Sequence, residues 1–215
     1  MLQGTATSLE VFFLTLLFAV PLALPVTAGR MTKNRILSTV TKIFLLIIRG
    51  TPLMLQLLVV YFGPSLLCIW INKEFGTNIR VTWSRFLAAN VALIINYAAY
   101  FAEIYRGGIE SIPQGQYEAA KVLGYTKNQT FFYIILPQVV KRIIPAMGNE
   151  VITLVKDTAL VQVIGVSELL RVAQETQSRL FSFMPLFVAG VFYFIMNWIV
   201  EAVFVQIEKK LAYYK

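Results

Sequence analysis

Five long apolar stretches constrain this chain more than any other feature. Val11 to Ala28 is broken only by Thr15, Pro21, Pro25 and Thr27, and at about 1.5 Å per residue it approaches one bilayer crossing. Phe44 to Ile71 follows, with Gly63-Pro64 in its middle, and then Phe86 to Tyr105. A fourth stretch, Ile143 to Gly165, is shorter and carries Glu150, Lys156 and Asp157, and the fifth is Phe183 to Ile207. Hydrophobic residues make up 58% of the 215 and charged ones 14%, against about 45–50% and about 25% in soluble domains. The mean hydropathy of +0.69 points the same way. The expected fold is all-α and integral to the membrane, with about five transmembrane helices in a single domain over residues 1–215. No linker, low-complexity tract or internal repeat divides it.

Charge sets the expected orientation. A secretory signal peptide is the competing reading of the first stretch, but residues 1–10 hold no Lys or Arg; Arg30, Lys33, Arg35 and Lys42 come after it instead. This order places the N-terminus outside. The inner segments then hold Arg30, Lys33, Arg35, Lys42, Arg49, Arg106, Lys121, Lys127, Lys141 and Arg142, and the tail adds Lys209, Lys210 and Lys215. Thirteen of the 19 basic residues are therefore inside, against five in outer loops, with Lys156 within a span. That asymmetry follows the positive-inside rule and puts the C-terminus in the cytoplasm. The net charge of +8 is thus a topology signal, and nucleic acid drops out as a partner. One cysteine, Cys68, and no histidine leave almost no ligands for zinc, iron or copper.

Between the third and fourth stretches lies a polar island, Glu118 to Pro137. It opens on Glu118, Ala119 and Ala120, has Gly124 four residues later, and closes on Ile134, Leu136 and Pro137. Ser111 and Gln114 have capping-box spacing, as do Thr126 and Gln129, and Gly124 is a good helix-ending residue. A short helix, a glycine break and a second helix are expected, the paired alanines giving the first a low-relief face for a partner. The pattern EAA, three residues, Gly, nine residues, I-x-LP resembles the EAA loop of ABC-importer permeases at every marked position. The resemblance implies a type I ABC importer transmembrane fold with a cytoplasmic coupling loop over about 108–137. Its helix, about Ser111 to Leu123, would dock on a separate ATPase through Glu118, Ala119, Ala120, Gly124 and Pro137.

Polar residues at membrane depth mark pathways or sites by default. Arg49-Gly50-Thr51-Pro52-Leu53 with Gln56 and Tyr61-Phe62-Gly63 resembles the polar amino-acid subfamily of these permeases; for Arg49 itself, snorkelling to the interface is the plain alternative. Asn96, Tyr100 and Glu103 share one helical face by their spacing. Glu103 either faces a ligand or pairs with Arg106 one turn on, and Asn96 suits a helix–helix hydrogen bond. The stretch from Phe101 to Gly107 also resembles the family's A-E-I-x-R-G segment. Lys156-Asp157-Thr158-Ala159-Leu160 resembles its K-D-T-S-L motif, with alanine for the serine, and Val163-Ile164-Gly165 follows as in the family. The alternative for Lys156 and Asp157 is neutralisation of other charges at a subunit interface. Asn197 and Glu201 suit packing or interface roles.

A recognition site for a free amino acid at low dielectric needs acidic groups and hydrogen-bond donors, since isolated buried charges are so expensive. Asn96, Tyr100, Glu103, Asp157, Gln56 and Thr158 are the candidate substrate contacts, and the acidic pair favours arginine, lysine or histidine. The chain has no G-x-x-x-x-G-K-[ST] loop, so ATP would be hydrolysed elsewhere. The resemblance implies two cytoplasmic ATPases that bind ATP and Mg, a second permease subunit, an extracytoplasmic binding protein and the bacterial inner membrane. No cofactor is expected on this chain. A permease for another small polar solute is the runner-up, and an ion-gradient carrier is a more distant one.

Overall fold

A computed structural model describes residues 1–211; Lys215, counted above with the tail, lies outside the described residues. The secondary structure among these residues is helical throughout, and five helices are long and apolar enough to cross a membrane. The chain runs through α1 (Leu2–Met31), α2 (Arg35–Gly50), α3 (Leu53–Phe75) and α4 (Arg85–Glu110). It continues with α5 (Gln114–Val122), the single turn α6 (Lys127–Gln129) and a π-helical turn, Thr130–Ile135. Then come α7 (Leu136–Asp157), a 3₁₀ segment, Thr158–Ile164, and finally α8 (Leu169–Leu180) and α9 (Met184–Leu211).

The core is built around α4. Its inward residues are small: Ala88, Ala89, Ala92, Ala98, Ala99 and Ala102 are all buried. On α1, Gly4, Ser8, Thr15, Ala19, Ala23 and Thr27 are likewise buried, mostly one per turn. With lipid outside there is little hydrophobic drive between helices, so small facing residues gain dispersion by bringing the backbones close. Thr27 adds a hydrogen bond from its hydroxyl to the Ala102 carbonyl at 3.1 Å. In contrast, α3 and α9 turn long rows of Leu, Val, Ile, Phe and Trp outward. Gly108, near the end of α4, packs so tightly on α7 that an added Cβ would run into the Ile143 side chain and touch Val139. Overpacking of this kind costs about 1–3 kcal/mol. Gly108→Val should therefore lower the melting temperature in detergent well below that of Gly107→Ala, whose site is open; equal melting of the two would contradict this packing.

Three sequence expectations change. The apolar stretch from Phe44 to Ile71 is not one crossing: it breaks at Thr51 and Pro52, both extended (ψ 146° and 133°), leaving α2 outside the five spans. Proline disfavours helix at the residue before it and has no N–H to donate. Gly63-Pro64, in the middle of that stretch, lies inside unbroken α3. The fourth crossing is longer than Ile143 to Gly165, because helical structure continues from Lys127 to Ile164. Pro137 cannot donate, and the Leu136 N–H bonds back to the Phe131 carbonyl, widening the helix into a π turn. Finally, Ser111 does not cap the coupling helix. The N-cap is Pro113, without a side-chain bond, and the Ser111 hydroxyl instead donates to the Gly108 carbonyl, finishing α4. The second capping box, Thr126 with Gln129, is formed in both directions.

Candidate functional site

The polar residues down α4 reach four other helices, one after another. At the top, the Asn96 side-chain amide donates to Gln56 Oε1 at 2.9 Å. Gln56 in turn donates to the carbonyls of Ile48 (2.7 Å) and Thr51 (3.1 Å) and to the Thr51 hydroxyl (2.9 Å). Gln56 thus satisfies backbone groups that the α2–α3 break frees, and Asn96 anchors that knot to α4. One residue on, Tyr97 faces the other way and donates its hydroxyl to Asp157 Oδ2 at 2.7 Å. Sequence spacing put Asn96, Tyr100 and Glu103 on one face, but nothing in it singled out Tyr97, which is 1% exposed. The only available signal was a tyrosine in a row of alanines.

Lower down, the Arg49 guanidinium lies 5.4 Å from the Tyr100 ring centre, a cation–π distance. Glu103 then meets three arginines. Arg106 donates to Oε2 from Nε (3.1 Å) and from Nη2 (2.7 Å). Arg49 is 3.6 Å from Oε2, and Arg30 is 3.9 Å from Oε1. Pairing with Arg106 is therefore formed, and Arg30 joins from α1, which sequence spacing could not show. Asp157 makes no salt bridge among the described residues, and neither does Glu150, about two turns away on the same face of α7. Thr158 is buried and donates its hydroxyl to the Val155 carbonyl at 2.7 Å. The structure thus brings Gln56 with Asn96 and Tyr100 with Glu103 along α4, while Asp157 and Thr158 sit across from them through Tyr97.

At the end of the bundle beyond Glu110, the island folds as a helix, a turn and a helix. Gly124 has φ +77°, a left-handed conformation that glycine adopts without strain. Glu118 and Ala119 are exposed, whereas Ala120 is 1% exposed and belongs to the core. Only one of the paired alanines is thus on the free face. Val122 and Leu123 stand out at its tip, 87% and 72% exposed. Pro137 is exposed just after the π turn.

Past the 3₁₀ segment, Glu168 is fully buried. It accepts from the N–H groups of Leu170 and Arg171, both at 2.7 Å, and from the Tyr193 hydroxyl at 2.8 Å. The Leu169 N–H donates to the Ser8 hydroxyl at 3.2 Å, and Gly4 lets α1 close to within 3.0 Å, measured from an added Cβ to Leu169 Cα. Burial raises the Glu168 carboxyl above the ordinary glutamate range, outweighing these donors and Arg171. Glutamate is a weak N-cap signal, so sequence reasoning passed over it.

Comparison with known proteins fits this architecture. The profile of the family described as the binding-protein-dependent transport system inner membrane component matches residues 16–213. The arginine transport system permease protein of Bacillus subtilis (strain 168) is 35% identical over 212 residues, 98% of this chain and 91% of that protein. The L-cystine transport system permease protein of the same organism is 35% identical over 214 residues, 98% of this chain and 86% of the other. A crystal structure of an amino acid ABC transporter with histidines superposes with a TM-score of 0.82 at 35% identity, covering 97% of this chain and 92% of that one. The fold is that of type I ABC importer permeases, and the chain belongs to the binding-protein-dependent inner membrane transport family as an amino-acid permease subunit.

Proposed function

We propose that this chain, acting as one permease domain over its 215 residues, carries basic amino acids inward through the bacterial inner membrane. Uptake proceeds by alternating access driven by a separate ATPase. The relatives' names range from arginine to cystine, so the cargo preference rests on chemistry. The observation that carries it is the pair Glu150 and Asp157, seven residues apart on α7, both at membrane depth and neither in a salt bridge. Both carboxylates are half-buried, and the cations that reach them, Arg49 for Glu150 and Lys156 for Asp157, pair with neither, so a cationic side chain of the cargo adds the close countercharge. Glu103 is less suited to that part, since its Oε2 already holds Arg106.

The positive-inside count supports an outer N-terminus and a cytoplasmic island. There α5 offers Glu118, Ala119, Val122 and Leu123 to the ATPase, on which ATP and Mg are bound. A second permease subunit and an extracytoplasmic binding protein complete the assembly. No resident cofactor is needed for this part of the work.

The test is uptake by proteoliposomes of the full complex. Asp157→Asn and Glu150→Gln should each lower arginine and lysine uptake about tenfold or more, the scale of one lost charge-assisted contact, with glutamine uptake changed far less. Equal loss for cationic and neutral cargo, or no loss for either, would remove the basic preference and leave the amino-acid permease.

A further inference from the structure

A cleft of about 300 Å³ opens between α1, α2 and α4, lined by Arg30, Lys42, Leu45, Leu46, Arg49, Gly50 and Glu103. Three cations and one carboxylate converge there. The Arg30 and Arg49 guanidiniums lie 3.9 and 3.6 Å from Glu103, too far for good hydrogen bonds. Lys42 is exposed and makes no ion pair among the described residues. Both hydrogen bonds to Glu103 end on Oε2, which leaves Oε1 with Arg30 alone at 3.9 Å. Among the described residues the cleft therefore offers several cationic donors with no protein hydrogen bond beside one carboxylate oxygen with no close protein donor.

We propose that this cleft is an amino-acid site of its own, distinct from the Glu150–Asp157 pair. It reads the backbone of the cargo, with the α-carboxylate on Arg49, Lys42 and Arg30 and the α-ammonium on Glu103 Oε1. The proposal rests on the permease reading above and adds the part of the cargo that every amino acid shares. Its volume suits one free amino acid. It also lies on the path: Glu103, Tyr100 and Asn96 follow one another up α4 on a common face, and Arg49 bridges the cleft to Tyr100. Guanidiniums match a carboxylate in geometry as well as charge, so two arginines give recognition that does not depend on the side chain.

A phospholipid phosphate is the other anion such a cleft attracts, and α2 argues against it. Ile36, Val40, Ile43 and Ile47 form one exposed apolar stripe at helical spacing, whereas Arg35, Lys42 and Arg49, seven residues apart, form another. At about 100° per residue the two stripes are centred roughly 130° apart around the helix, with exposed Leu46 between them. The apolar stripe is the side that meets lipid, and the basic residues face obliquely away from it, with Leu46 at the lip of the cleft.

The experiment is calorimetric binding to the purified, nucleotide-free complex with its ATPase, using free arginine and arginine amide, which lacks the carboxylate. Wild-type complex should bind the free acid about tenfold or more tightly than the amide. Lys42→Gln, at an exposed position that leaves folding intact, and Arg49→Gln should bring that ratio towards one. A ratio kept at its wild-type value in both variants would mean that the carboxylate is recognised elsewhere, and the proposal falls. A ratio that collapses in phosphatidylglycerol nanodiscs but not in phosphatidylcholine ones would assign the cleft to a headgroup and overturn it too. Absence of arginine binding by an ATPase-active complex would sink the cargo reading first, and this one with it.

Discussion

Glu168→Ala should destabilise the protein by about 3 kcal/mol or more, because it orphans two backbone N–H groups and a tyrosine hydroxyl, each worth about 1–3 kcal/mol when left unpaired away from water. Glu168 is fully buried, so water cannot take its place. The same carboxylate caps α8 and ties it to α9 through Tyr193, while Ser8 and Gly4 press α1 against the same turn. Losing it releases three helices at once and loosens the 3₁₀ segment that begins with Thr158. Denaturant unfolding in detergent checks this, and a change below about 1 kcal/mol, the worth of an ordinary hydrogen bond, would contradict the clamp. The pH dependence follows from the same burial. A carboxyl raised in the folded state adds stability that is complete below its unfolded value, here about the ordinary 4.5, and is lost as pH rises through the folded value. Wild type should therefore lose stability relative to Glu168→Gln as pH climbs from 4.5, and parallel curves for the two would exclude this linkage.

Leu123→Asp should abolish coupling while leaving the fold alone. Leu123 and Val122 are among the most exposed apolar side chains of the protein, at 72% and 87%, so the substitution removes no packing within the chain. An apolar anchor at the centre of a docking site is commonly worth at least about 2 kcal/mol, or roughly thirtyfold in affinity, and a buried aspartate adds a desolvation penalty. The expected result is loss of the co-purifying ATPase and of uptake, with an unchanged melting temperature. Full retention of ATPase on the variant would show that α5 does not carry the docking contact. Glu118→Gln, on the same exposed face, should weaken the association less, since a rim charge contributes little to affinity.

Much of this was legible in the chain because hydropathy and spacing report short-range geometry. The apolar runs located all five crossings, and those at Phe86 to Tyr105 and Phe183 to Ile207 matched α4 and α9 to within about five residues at each end, while Thr126, Gln129 and Gly124 marked the turn of the island by local chemistry alone. Phe44 to Ile71 looks continuous by composition because the break at Pro52 lies inside an apolar run, although that break is local too: the backbone before an X-Pro step is steered away from the helix. The asymmetry of basic residues, a property of segments rather than of contacts, carries the proposed orientation.

The pairing of polar groups was decided only in the tertiary structure. Gln56 meets Asn96 across 40 residues, Asp157 meets Tyr97 across 60, and Ser8 meets Leu169 across 161. Helical spacing says which residues share a face, but not which neighbouring helix that face meets or at what height. Those are fixed by how closely the alanine and glycine surfaces of α1 and α4 let the backbones approach, a packing outcome that sums many weak contacts. Spacing alone therefore left Glu103 open between ligand and partner, and packing decided the partner: Oε2 is held by Arg106, while Oε1 has only Arg30 at 3.9 Å.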